Sequence, residues 1–274
     1  MPELPEVETT KRGIAPHVEG QTIASLRVHN PNLRWPVPGE LAELANGAVI
    51  GQLQRRAKYL LMPVGTDYVL LWHLGMSGSL RIVTPATPLR KHDHIELELA
   101  NGTLLRYHDP RRFGALLYAK QGETNKHVLL EHLGPEPLSD AFNVAHMITR
   151  AANKKQPIKT FIMDNANVVG VGNIYACESL FKAGIHPNTP AGRVSQQRWI
   201  KLVEAIKTTL AAAIEQGGTT LRDFVGGDGE PGYFAQQLFV YGRNGEPCRV
   251  CETPVKLLKM SGRATCYCGK CQRY

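Results

Sequence analysis

Between residues 22 and 118 the apolar positions come in short runs, and several alternate with polar ones, as Ile95, Leu97 and Leu99 do between charged neighbours. A period of two belongs to strands with one face buried. It predicts strands over 22–29, 51–62, 68–82, 94–99, 103–106 and 115–118. Asn101-Gly102, lying between two of these runs, is the strongest hairpin signal in the chain. Several short strands at this spacing point to a two-layer β-sandwich. Before them, Pro2 followed by Glu3, Glu6 and Glu8 has the signature of a helix start, with proline and acids in the first turn.

The pattern changes around Gly134-Pro135-Glu136-Pro137, beyond which helical spacing is predicted over 139–151, 156–163, 173–183 and 195–216. Residues 217–241 carry Gly226-Gly227-Asp228-Gly229 and Pro231-Gly232 with little helical pattern, which suits a loop that covers a substrate. The 274 residues are enough for about two domains, each with its own core, and no internal repeat is visible. The expected fold class is α+β, a helix and β-sandwich followed by a helical domain.

Charge is unevenly placed. The net formal charge is +8, and Arg243, Arg249, Lys256, Lys259, Arg263, Lys270 and Arg273, opposed by Glu246 and Glu252, put +5 of it into residues 241–274. Five of the six cysteines share that tail. Cys248-x2-Cys251 and Cys268-x2-Cys271 have the spacing of a four-cysteine zinc ribbon. The alternative, two disulfides, needs an oxidising compartment. The start MPELPEVETTKR is unlike a signal peptide, and no apolar run reaches the ~18 residues of a membrane helix. A cytoplasmic protein with one structural Zn2+, no membrane partner and a polyanionic ligand is therefore expected. Four thiolates and Zn2+ together contribute −2, so the ribbon's attraction for phosphate rests on its basic side chains. Cys266 shares a strand face with Cys268 and can compete as a ligand, although the symmetric spacing favours Cys268. Cys177 is expected to be packed within a helix.

Other residues have two readings each. Pro2, once exposed by removal of Met1, is a secondary amine with a pKa near 8, able to form an iminium with a carbonyl-like carbon; otherwise it simply starts a helix. Glu3 and Glu6 beside it can serve as acid or base. Val169-Gly170-Val171-Gly172-Asn173 lacks the third glycine of a dinucleotide loop but forms a turn into a helix N-terminus, where amides meet anions and Asn173 can cap. Met76 in HLGMSG and Phe113 beside Arg111 in DPRRFG are either loop anchors or wedges that enter a base stack. His92, Asp93, His94, His108 and Asp109 suggest a metal only weakly.

Taken together, MPELPEVET, RRAKYLL, HLGMSG, DPRRFG, VVGVGNIYACESLF, GGTTLRDF, DGEPGYF, VYGR and the cysteine ribbon resemble bacterial formamidopyrimidine-DNA glycosylases over the whole chain. The resemblance implies a monomeric bifunctional glycosylase and abasic-site lyase acting on damaged double-stranded DNA. Its domains would be a catalytic β-sandwich over 1–134, a helix–two-turns–helix domain with a lesion-capping loop over 135–240, and a zinc-finger hairpin over 241–274. By motif, Pro2 is the nucleophile, Glu3 protonates the opening sugar oxygen and Glu6 supports them. Lys58 and Arg263 complete the catalytic set. His92, Arg111, Lys159 and Asn173 contact DNA, while Met76, Arg111 and Phe113 fill the void left by the flipped nucleotide. Arg222 belongs to the lesion-capping loop, and Cys248, Cys251, Cys268 and Cys271 hold zinc. At Cys266 the family more often has an aromatic. The rival readings are a sister glycosylase for oxidised pyrimidines and a DNA-binding protein without catalysis; a proline-base tautomerase would share only the Met-Pro start.

Overall fold

The computed structural model describes residues 2–218 and 238–274, which fall into two compact units. The first takes in the described residues up to 131 with 216–218; the second takes in 132–215 and 238–274.

The first unit opens with helix α1 (Leu4–Val18), followed by β1 (Ile23–Val28) and the short α2 (Leu41–Ala45). Seven strands follow: β2 (Gln54–Arg56), β3 (Tyr59–Val64), β4 (Tyr68–His73), β5 (Ser79–Val83), β6 (Asp93–Leu99), β7 (Leu104–His108) and β8 (Ala115–Lys120). They form two antiparallel four-stranded sheets, ordered β1-β6-β7-β5 and β2-β3-β4-β8. Leu26, Leu80, Ile95, Leu97 and Leu105 of one sheet share a core with Leu60, Met62, Leu70, Trp72 and Leu116 of the other, closed by Val7, Ile14 and Val18 of α1. In β1 the buried pair Ile23 and Leu26 breaks the period of two, because a register shift between Ile23 and Ser25 reverses the parity of the strand.

Two predicted strands are divided. The run 51–62 is interrupted by a turn between β2 and β3. The run 68–82 is interrupted after His73, and its two halves belong to different sheets: β4 to one, β5 to the other. Residues 74–78 are thus a crossing between layers, and residues 109–114 cross back from β7 to β8. The crossings touch backbone to backbone. A Cβ on Gly75, whose φ is +64°, would lie 2.4 Å from the Gly114 nitrogen. One on Gly114 would lie 1.7 Å from the Tyr107 hydroxyl and 2.5 Å from the His73 carbonyl oxygen. Gly114→Ala is accordingly expected to lower the melting temperature by about 5 °C or more, as overpacking costs ~1–3 kcal/mol. A thermal melt within about 1 °C of wild type would contradict the fit.

In the second unit, α3 (Val144–Ala151), α4 (Ile158–Ile162), α5 (Asn173–Lys182) and the 20-residue α6 (Gln196–Glu215) precede a hairpin of β9 (Lys256–Met260) and β10 (Arg263–Tyr267). Cys177 and Phe181 of α5 share a cluster with Val240, Val255 and Cys266, so the hairpin region is built onto that helix. No described helix is long and apolar enough to cross a membrane.

Candidate functional site

The start of α1 is polar yet buried. Glu3 is its N-cap residue, and the Glu3 amide donates to Glu6 Oε2 at 2.8 Å, so the third helical residue reaches back to hold the entry of the chain. Both glutamates are 1% exposed, and Pro2 is buried beside them. The unsatisfied amides of a helix N-terminus favour negative charge there. Farther along, Glu8 meets Lys11 at 2.9 Å, Arg12 at 3.0 Å and Arg55 at 3.0 Å. Burial works to raise its pKa, but these cations outweigh it and hold the carboxyl below its usual range.

Through Arg55, α1 is tied to the hairpin that carries Lys58. The turn from β2 to β3 has only two residues, Ala57 and Lys58, and Ala57 has a φ of 54°, the left-handed geometry that such a turn requires. Arg55 Nη1 donates to the Ala57 carbonyl at 2.9 Å and supports this uncommon backbone. Lys58 is half-buried at the tip.

His73, at the end of β4, is a member of this neighbourhood that the sequence pattern does not single out. Its ring lies 4.9 Å from that of Tyr59, and its Nδ1 accepts from the Gly75 amide at 3.1 Å. Burial, followed by the charges of Lys58 and Arg34, pushes its pKa down to about 4, against the smaller opposing effect of Asp109. The ring is therefore neutral at pH 7 with its proton on Nε2, a donor without a charge. HLGMSG contains this histidine, but its pairing with Tyr59, which brings it into the field of Lys58, depends on strand register.

The two layer crossings carry Met76, Arg111 and Phe113, the residues expected to form the wedge. Met76 is 37% exposed between buried Gly75 and Ser77, and Phe113 is 45% exposed. The Arg111 guanidinium lies 4.9 Å from the centre of the Phe113 ring, so the two make one protruding cation–aromatic pair. His92 is half-buried, with His94 and His108 near it at 6.1 and 6.0 Å between ring centres. Asp93 is bonded to Arg81 at 2.7 Å and His108 at 2.8 Å, and His94 Nε2 is 2.8 Å from the Asp109 carbonyl. These residues form a hydrogen-bonded belt; among the described residues only the four cysteines group as metal ligands.

In the second unit, Gly172 is the N-cap of α5 and Asn173 its first helical residue, which corrects the expectation that Asn173 caps. Its side chain is directed elsewhere: Oδ1 accepts from Lys159 Nζ at 2.5 Å and Nδ2 donates to the Ala264 carbonyl at 2.9 Å. Lys159 is 1% exposed and also donates to Thr265 Oγ1 at 2.7 Å. Lys159 and Asn173 thus tie α4 and the start of α5 to β10, beside exposed Arg263. Buried Glu178 of α5 accepts from three successive amides, Phe239 at 2.8 Å, Val240 at 3.0 Å and Tyr241 at 2.9 Å. Spacing arguments do not single it out. Arg222 and the other residues 219–237 of the expected lesion-capping loop lie outside the described residues.

The Sγ atoms of Cys248, Cys251, Cys268 and Cys271 all lie within 4.8 Å of one another, with Cys248–Cys271 at 4.0 Å and Cys251–Cys268 at 3.5 Å. Four sulfurs at ~2.3 Å from a tetrahedral Zn2+ stand about 3.8 Å apart, so the cluster fits zinc. With four protein ligands the site is closed, hence structural. Cys266 is buried against Cys177 and outside the cluster. Burial raises the pKa of both thiols, that of Cys177 to about 12, which makes them packing groups.

Three family models match in order: the formamidopyrimidine-DNA glycosylase N-terminal domain over residues 1–116, the glycosylase H2TH domain over 133–225, and the zinc finger found in FPG and IleRS over 245–273. The chain belongs to the formamidopyrimidine-DNA glycosylase family. The formamidopyrimidine-DNA glycosylases of Marinobacter nauticus and Hahella chejuensis are 58% and 55% identical to it, each over the full length of both chains. A Lactococcus lactis FPG mutant in complex with Fapy-dG-containing DNA superposes with a TM-score of 0.94 at 32% identity, covering all of both chains. MutM (FPG) of Thermus thermophilus gives 0.90 at 38% identity, covering 99% of this chain and 98% of that one. Membership makes the protein a DNA glycosylase of base excision repair with one structural zinc.

Proposed function

We propose that the protein flips oxidised purines, 8-oxoguanine and formamidopyrimidines, out of damaged double-stranded DNA, excises them, and then cleaves the strand as a lyase. The carrying observation is the start of α1, where Pro2 precedes two buried carboxyls and the Glu3 backbone is fixed by Glu6. With Met1 removed, the Pro2 nitrogen attacks the sugar C1′ as the bond from C1′ to the base breaks. The proton lost from the Pro2 nitrogen goes to the departing base, Glu3 donates a proton to the ring oxygen, the sugar opens, and an iminium joins Pro2 to C1′. Loss of a C2′ proton then expels the 3′ phosphate, and a second elimination expels the 5′ phosphate. Water finally releases Pro2.

The other assignments are carried from the motifs. Lys58 with neutral His73 suits a phosphate near the reacting sugar, and Met76, Arg111 and Phe113 suit the vacated space, with Arg111 facing the orphaned cytosine. Arg263, His92 and Asn173 would contact the backbone, with Lys159 acting through Asn173 and β10. Arg222 is assigned to the cover over the lesion. The relatives' complexes with Fapy-dG DNA and with abasic-site DNA support the substrate class. In an incision assay, duplexes with 8-oxoguanine opposite cytosine are expected to be cut at least about tenfold faster than duplexes with thymine glycol. The opposite preference would assign the protein to the oxidised-pyrimidine class.

A further inference from the structure

The two exposed wedge segments share a single buried anchor. Asp109 is 0% exposed, and its carboxylate accepts from both layer crossings and from the strand between them. Oδ1 accepts from Ser77 Oγ at 2.6 Å and from the Arg111 amide at 3.3 Å. Oδ2 accepts from the Gly114 amide at 2.9 Å and from the Tyr107 hydroxyl at 3.1 Å. Ser77 Oγ in turn accepts from the Arg111 amide at 3.2 Å. The backbone around these bonds is unusual: Gly75 and Arg112 have φ of 64° and 56°, and Gly75 lies against Phe113 and Gly114 with no room for a Cβ.

We propose that Asp109 is a positioning residue for excision: by bonding both crossings at once it holds Met76, Arg111 and Phe113 as one preformed wedge. The inference rests on the wedge reading given above. Wedge side chains on separately mobile loops would have to be ordered during each eversion of a nucleotide, whereas a locked base meets that cost during folding. Only a group that accepts on both oxygens serves here. The carboxamide introduced by Asp109→Asn would turn its NH2 toward a backbone N–H whichever way it faced, Arg111 on one side or Gly114 on the other.

Asp109→Asn tests this in the full-length zinc-loaded protein. Single-turnover excision of 8-oxoguanine is expected to slow about 30-fold, with duplex affinity changed less than about threefold. Trapping on a single-stranded abasic site, which has no stack to fill, is expected to suffer at least about tenfold less than excision. In an Arg111→Ala, Phe113→Ala background, adding Asp109→Asn is expected to slow excision by less than about threefold, because the wedge is already gone. Full additivity in that background, or equal losses on both substrates, would overturn the proposal. If the Arg111→Ala, Phe113→Ala protein excises at the wild-type rate, the wedge reading itself fails, and Asp109 loses its assignment with it. Should Asp109→Asn not fold, Ser77→Ala removes one donor only and is expected to show the same epistasis with a drop of about fivefold.

Discussion

Borohydride added during turnover is expected to join the protein covalently to a duplex carrying 8-oxoguanine opposite cytosine, by reducing the iminium at Pro2. Pro2→Gly is expected to slow base excision by about a thousandfold, equivalent to ~4 kcal/mol in the barrier. A form that retains Met1, verified by mass, is expected to lose the adduct. The physical reason is specific to this position. The nitrogen must be a free amine, and it must sit beside Glu3, whose backbone is pinned by the 2.8 Å bond to Glu6. Glycine keeps an amine but not the ring that restricts its direction, and retained Met1 turns the Pro2 nitrogen into an amide with no nucleophilic pair. Full-strength trapping in the Met1-retaining form would show that the nucleophile lies elsewhere, with a lysine such as Lys58 the next to test.

Removing zinc, by chelation or by Cys248→Ser, is expected to lower affinity for duplex DNA by more than about 100-fold and to leave the thermal transition of the first unit in place. The hairpin has five residues in each strand, and only Met260, Thr265 and Cys266 are buried along them. A two-stranded ribbon of this size is marginal by itself, so metal binding supplies much of its folding free energy. Losing the ribbon also removes Thr265 and Ala264 as acceptors for Lys159 and Asn173, which would leave a buried ammonium short of partners. Zinc content by chromogenic chelator and DNA affinity by anisotropy check both parts. Undiminished affinity in zinc-free protein would overturn the expectation, as would loss of excision without loss of binding.

Most of the architecture was legible because it is written in short-range patterns: alternation for the strands, CxxC pairs for zinc, Asn-Gly for the turn from β6 to β7. What escaped depends on contacts between distant residues. Trp72, Leu74 and Met76 continue the even spacing of β4, so nothing local shows that Gly75 adopts a positive φ and sends the chain to the other sheet. Asn173 has a capping side chain at a helix start, but a buried lysine 14 residues earlier competes for its oxygen. A lysine in a basic protein reads as a phosphate ligand until its burial is known. Asp109 appeared only as a member of a weak metal-ligand group; its importance lies in donors from positions 77, 107, 111 and 114 meeting at one carboxylate.

The pairing of β1 with β6 sets a timetable for the N-terminus. Ile23 pairs with Leu99, so the sheet behind α1 cannot form until roughly the first hundred residues have left the ribosome. At ~5–20 residues per second that interval lasts several seconds or more. Pro2 is buried in the finished molecule, whereas during that interval it is the leading end of an unfolded chain, accessible to an aminopeptidase that would free its nitrogen. The long-range topology thereby allows the N-terminal residue to be processed while exposed and enclosed afterwards.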